Sequence, residues 1–148
     1  MTHDDASLMG ASIRSLLRAF TIDETRYPSA EGKIRYNGPE FQTLHFVGLN
    51  PGCSSAALAA FLGVSPTTAQ SVIERLIKRG LILRARSSGD KRAVALNLTA
   101  EGETVRAAIH RQDQRNCETM LAALPEAERS AFVARMAQIA QAIEHIPG

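Results

Sequence analysis

Four cations, Arg84, Arg86, Lys91 and Arg92, are carried by the stretch RARSSGDKRAVALNLT, two strand-like runs on either side of Ser88-Gly89-Asp90. They are part of a larger island. Residues 42–98 also hold Arg75, Lys78 and Arg79 against only Glu74 and Asp90, a net charge of +5, whereas residues 1–41 carry −1 and residues 99–148 carry −2. A basic centre between acidic ends is the electrostatic footprint expected for a polyanionic partner. The plainer alternative is a solvated charged face, which charge counting alone favours.

Residue types that would do other chemistry are not grouped. No Gly-rich phosphate loop, HExxH, G-x-S-x-G or paired catalytic carboxylates occur, so an enzyme is not expected. Cys53 and Cys117 lie far apart without a second Cys or His at ligand spacing, which suggests neither a disulfide framework nor a metal site, and no cofactor is expected. His3, His45, His110 and His145 share no local motif. The apolar runs are too short to cross a bilayer and the first residues, MTHDDASL, are acidic where a signal peptide is basic, so a cytoplasmic protein without a membrane partner is expected.

The elements that must position the basic island follow from periodicity. Met9, Ile13, Leu16 and Phe20, at spacings of four, three and four, predict an amphipathic first helix. Residues 22–40 hold two prolines and two glycines with few apolar residues, and predict a long loop or short hairpin. A brief helix is expected over 39–47, with Phe41, Leu44 and Val47 facing in and Asn50-Pro51-Gly52 ending it.

Ser54 or Ser55 can cap the next helix, which buries Leu58, Ala59 and Leu62 and stops at Gly63. Ser65 caps another, with Pro66 in its first turn, that buries Ala69, Val72, Ile73 and Leu76 and ends at Gly80. Two helices joined by so short a turn form a helix-turn-helix. The period then changes to two: Leu81-Ile82-Leu83 and Val94, Leu96 and Leu98 read as a hairpin through Ser88-Gly89-Asp90. Thr99 caps a long helix with a polar middle, HRQDQRNCE, suited to bridging two bodies. After a break at Leu124-Pro125-Glu126, Phe132, Met136, Ile139, Ile143 and Ile146 form a heptad-like seam.

The strings LAAFLGVSPTTAQSVIERLIKRGLI, SSGDKRAVALNLTAEG and LPEAERSAFVARM, in this order, resemble the MarR family of bacterial transcription regulators. The resemblance implies a mainly α fold with a small β-hairpin: a winged helix-turn-helix plus a helical dimerisation region. The expected division is 1–38, an N-terminal helix and loop for dimerisation; 39–98, the DNA-binding domain; and 99–148, helices completing the dimerisation region.

Carried onto this sequence, residues 65–71 open the recognition helix, with Thr67, Thr68, Gln70 and Ser71 against bases or nearby phosphates. Ser65, Arg75 and Lys78 complete that helix's set. Arg92 takes the wing-tip position that enters the minor groove, Asp90 the position that holds it, and Arg84, Arg86 and Lys91 make positioning contacts. Many relatives have Arg where this chain has Ser71, which leaves Gln70 as the base reader, a role that suits an amide able to donate to and accept from one adenine edge.

The implied partners are double-stranded DNA, a second copy of the chain and a small aromatic or phenolic effector, with Phe20, Phe41 and His45 as weak pocket candidates. The dimer seam is Met9, Ile13, Leu16 and Phe20 with Phe132, Met136, Ile139, Ile143 and Ile146. The implied function is a ligand-responsive repressor acting as a homodimer on a pseudo-palindromic operator. The alternatives are a winged-helix protein-interaction module and a cysteine-based redox regulator.

Overall fold

The computed structural model describes residues 3–20, 38–86 and 94–144. In chain order these form α1 (His3–Ala19), α2 (Pro39–Leu49), α3 (Ser55–Leu62), α4 (Pro66–Lys78), β1 (Ile82–Arg86), β2 (Val94–Leu98), α5 (Ala100–Ala122) and α6 (Glu126–Glu144). Residues 22–37 of the expected loop, the Ser88-Gly89-Asp90 turn, Lys91, Arg92 and Ile146 lie outside the described residues. The chain divides into two compact units, Met1–Gln112 and Asp113–Gly148, with the boundary inside α5.

Local chemistry sets the ends of the helices in the first unit. Ser54 Oγ accepts from the Ala57 N–H at 3.0 Å and starts α3. Gly63 ends it at φ 64°, a left-handed conformation in which a Cβ would be strained. Two residues later Ser65 Oγ accepts from the Thr68 N–H at 3.1 Å, and Pro66 occupies the first turn of α4. α2 runs one turn-fraction beyond the expected Val47, because both the backbone N–H and the side-chain Nδ2 of Asn50 donate to the Phe46 carbonyl at 2.9 Å and satisfy its last turn.

β1 and β2 pair antiparallel with Ile82 opposite Leu98, Arg84 opposite Leu96 and Arg86 opposite Val94. Leu81, expected in the strand, sits just before it. Its N–H donates to the Leu76 carbonyl at 3.0 Å, closing the end of α4, and its carbonyl accepts from Thr99 at 3.1 Å. A short third pairing was not legible in the sequence: Cys53 bridges Leu96, with Leu96 N–H donating to the Cys53 carbonyl at 2.8 Å and Gly52 N–H to the Leu96 carbonyl at 2.9 Å.

The core of this unit is Leu44 and Val47 from α2, Leu58 from α3, Val72, Ile73 and Leu76 from α4, Leu81, Ile82 and Leu96 from the hairpin, and Val105 and Ile109 from α5. Burying side chains of this size contributes about 2 kcal/mol each. The pattern holds the helix-turn-helix and the hairpin as one body. Thr99 joins α5 to it: its Oγ1 accepts from the Gly102 N–H at 2.9 Å and donates to the Gly80 carbonyl at 2.6 Å. Gly102 lies so close to the chain before β1 that a Cβ there would fall on the Leu81 carbonyl.

In the second unit α6 has no buried residue. Phe132, Val133, Met136, Ile139 and Ile143 are all exposed, as are Met9, Ile13 and Leu16 on α1, where Leu8 and Leu17 join them.

Candidate nucleic-acid interface

α4 has two faces. Ala69, Val72, Ile73 and Leu76 are buried, so the helical period turns Thr67, Gln70, Ser71, Glu74, Arg75 and Lys78 outward, three and four residues apart. Thr67 and Gln70 line an open cleft with Ser55, Ala56 and Pro66. Ser65 is engaged as the cap, and its hydroxyl also lies 3.0 Å from that of Thr68. The expected recognition residues are therefore gathered on one exposed surface at the start of α4.

Four of the expected cations lie among the described residues, and two of them are paired. Arg75 Nε donates to Glu40 Oε1 of α2 at 2.9 Å, and its Nη1 donates to Ser71 Oγ at 3.1 Å, so its guanidinium spans two helices. Arg84 Nη2 donates to Glu74 Oε1 at 2.7 Å. The register places Arg84 opposite Leu96, on the strand face that also carries Ile82 and Arg86; both arginines are exposed, and Arg84, nearer the end of α4, reaches Glu74. Lys78 is exposed at the end of α4. Asp90, Lys91 and Arg92 are outside the described residues.

Sequence reasoning missed Glu74. Its Oε1 accepts from Gln70 Nε2 at 3.0 Å as well as from Arg84, so one carboxylate joins the amide on α4 to the first strand of the hairpin. The Arg84 hydrogen bond and charge, and then the Gln70 N–H, hold the Glu74 carboxyl below the ordinary carboxylate range. The four-residue spacing of Gln70 and Glu74 was the available signal; the link to Arg84, across the Gly80 turn, had none.

The weak pocket candidates are differently placed. Phe41 packs against the core, His45 is exposed one turn further along α2, and Phe20 is half-buried after α1. Burial pushes the Cys53 thiol up; burial and then the nearby Asp113 charge do the same to Cys117. Neither has the depressed pKa of a reactive thiolate. Among the described residues no group of His, Cys, Asp and Glu is gathered for a metal ion, and no single helix is long and apolar enough to cross a membrane.

A helix-turn-helix whose second helix leads directly into an antiparallel hairpin is a winged helix-turn-helix. A family model described as MarR family matches residues 36–93, the span of α2, α3, α4 and the hairpin up to the start of β2. The HTH-type transcriptional regulator BilQ of Clostridium symbiosum is 32% identical over 113 residues, covering 74% of this chain and 77% of that protein. The chain belongs to the MarR family of transcription regulators.

Solved structures share the fold. Streptococcus pneumoniae FabT in complex with DNA superposes with a TM-score of 0.79 at 20% identity, covering 95% of this chain and 96% of that one. PcaV of Streptomyces coelicolor with its natural ligand gives a TM-score of 0.60 at 24% identity, covering 96% and 94%.

Proposed function

We propose that this regulator is a sequence-specific DNA-binding repressor that acts in the cytoplasm as a homodimer on a pseudo-palindromic operator. The observation that carries this reading is the outer face of α4, where Thr67, Gln70 and Ser71 stand exposed beside the basic hairpin. Gln70 reads a base edge, Thr67, Thr68 and Ser71 contact bases or adjacent phosphates, and Lys78, Arg86 and Lys91 follow the phosphates. Arg92 enters the minor groove with Asp90 holding it. The DNA complex of FabT, a protein of the same fold, supports this mode.

The exposed apolar stripes of α1 and α6 are covered by a second copy of the chain. A two-fold dimer presents its two recognition helices to successive turns on one face of the duplex. A small aromatic or phenolic effector relieves repression. PcaV, solved with its natural ligand, supports ligand binding by this fold, and Phe20, Phe41 and His45 are the side chains to test for it. The upward shifts of both thiols argue against the alternative of a cysteine-based sensor.

Arg92→Ala tests the wing. Anisotropy titrations against a random-sequence duplex over a range of salt should show weaker binding and a log–log salt slope reduced by about one per lost contact, hence about two per dimer. Unchanged affinity and slope in a folded dimer would remove the wing role and assign the basic island to another partner.

A further inference from the structure

We propose that Glu74 determines the specificity of Gln70, by fixing which way its amide faces and tying it through Arg84 to the hairpin. The proposal rests on the base-reading role given to Gln70 above. A glutamine side chain presents one donor group and one acceptor, and rotation about its last torsion exchanges them. An ionised carboxylate only accepts. With Glu74 Oε1 at 3.0 Å, the amide nitrogen must face Glu74, and Oε1 and the second N–H of Gln70 are left for a ligand. That remaining pair, one acceptor beside one donor, is the complement of the adenine N6 and N7 edge.

Glu74 is itself held. Its Oε1 takes the Arg84 Nη2 donor at 2.7 Å from β1, so the carboxylate cannot swing away without breaking a charge-assisted bond. The depressed Glu74 pKa, caused first by Arg84, agrees with a carboxylate that stays ionised in this arrangement. Glu74 thus carries a negative charge on a surface proposed to face phosphates, which costs general affinity. The orientation of Gln70 is what that charge provides in return. Removing it should raise binding to any DNA while lowering the preference for the right one.

The test measures affinity for two duplexes, one enriched from a random library by the wild-type protein and one of random sequence. Glu74→Ala is expected to bind the random duplex more tightly and to lower the ratio of the two affinities by about tenfold, the order expected when a long polar side chain regains its rotamer freedom. Glu74→Gln removes the charge and brings an amide that can donate as well as accept, so it no longer dictates which way Gln70 faces and should lower the ratio as Glu74→Ala does. The Gln70→Ala and Glu74→Ala/Gln70→Ala chains should share one ratio, because orientation has no meaning without the amide.

A Glu74→Ala ratio equal to the wild type would overturn the proposal, showing that Glu74 only repels phosphate. An additive double variant would also overturn it, because Glu74 would then act apart from Gln70. If Gln70→Ala alone kept full discrimination, the base-reading role itself would fall, and the orienting role with it. Glu74 is exposed, and circular dichroism melts of each chain check that the fold is unchanged.

Discussion

An Ile139→Asp chain is expected to be a monomer: light scattering at micromolar concentration should give 16.0 kDa, where the unmodified chain gives twice that mass. Ile139 sits at the middle of the α6 stripe, between Met136 and Ile143, and is 40% exposed in a single chain. A continuous stripe of five large apolar side chains on one helix with no buried residue is surface that water should not be left to cover. In a two-fold interface each substitution occurs twice. Placing a carboxylate in an apolar contact removes about 2 kcal/mol at each copy, so about 4 kcal/mol in all, which weakens association about a thousandfold. The core of the first unit, which lacks α6, should keep its structure. A wild-type mass equal to one chain would remove the dimer from the proposal.

Gly102→Ala should have the largest effect on stability. The added Cβ meets the Leu81 carbonyl, which is backbone and already accepts the Thr99 N–H, so neither a rotamer change nor a small side-chain shift relieves it. The first turn of α5 must move away from the hairpin, disturbing the Thr99 bonds to Gly80 and Gly102. Overpacking of this kind costs about 3 kcal/mol at the upper end, which lowers Tm by roughly 10 °C in a chain of this size. A thermal melt superimposable on the wild type would show that the junction yields more easily than its geometry implies.

The parts of this molecule that were legible in its sequence are those governed by neighbours along the chain. Ser54, Gly63, Ser65 with Pro66, and Thr99 mark the ends of helices because capping is a local exchange of hydrogen bonds, and the burial of Ala69, Val72, Ile73 and Leu76 follows from helical period alone. The polar middle of α5 signalled a change of surroundings, and the boundary between the two compact units falls there, after Gln112. The Cys53 pairing with Leu96 was hidden because a bridge of single residues has no period.

The site was less legible than the fold. The charge count placed Arg75 and Arg84 in one basic island, but the structure puts each guanidinium against a carboxylate, Glu40 and Glu74, from an element that composition cannot bring near. The outward direction of Gln70 could be read from the helix. Its bond to Glu74, and the extension of that bond to β1, depend on where the strand runs after Gly80. Long-range ion pairs leave no periodic trace, and these two pair cations that the charge count treated as alike with the rest of the island.

Repeated selection of binding sequences from a library of random duplexes, followed by footprinting of the enriched pool, tests the proposed DNA recognition most directly. The expected outcome is one pseudo-palindrome whose half-site centres lie about 34 to 36 Å apart along the helix axis, both protected together on one face of the duplex. A pool that shows no enriched sequence after selection, or a footprint covering a single asymmetric half-site, would contradict a two-fold reader built on the outer face of α4.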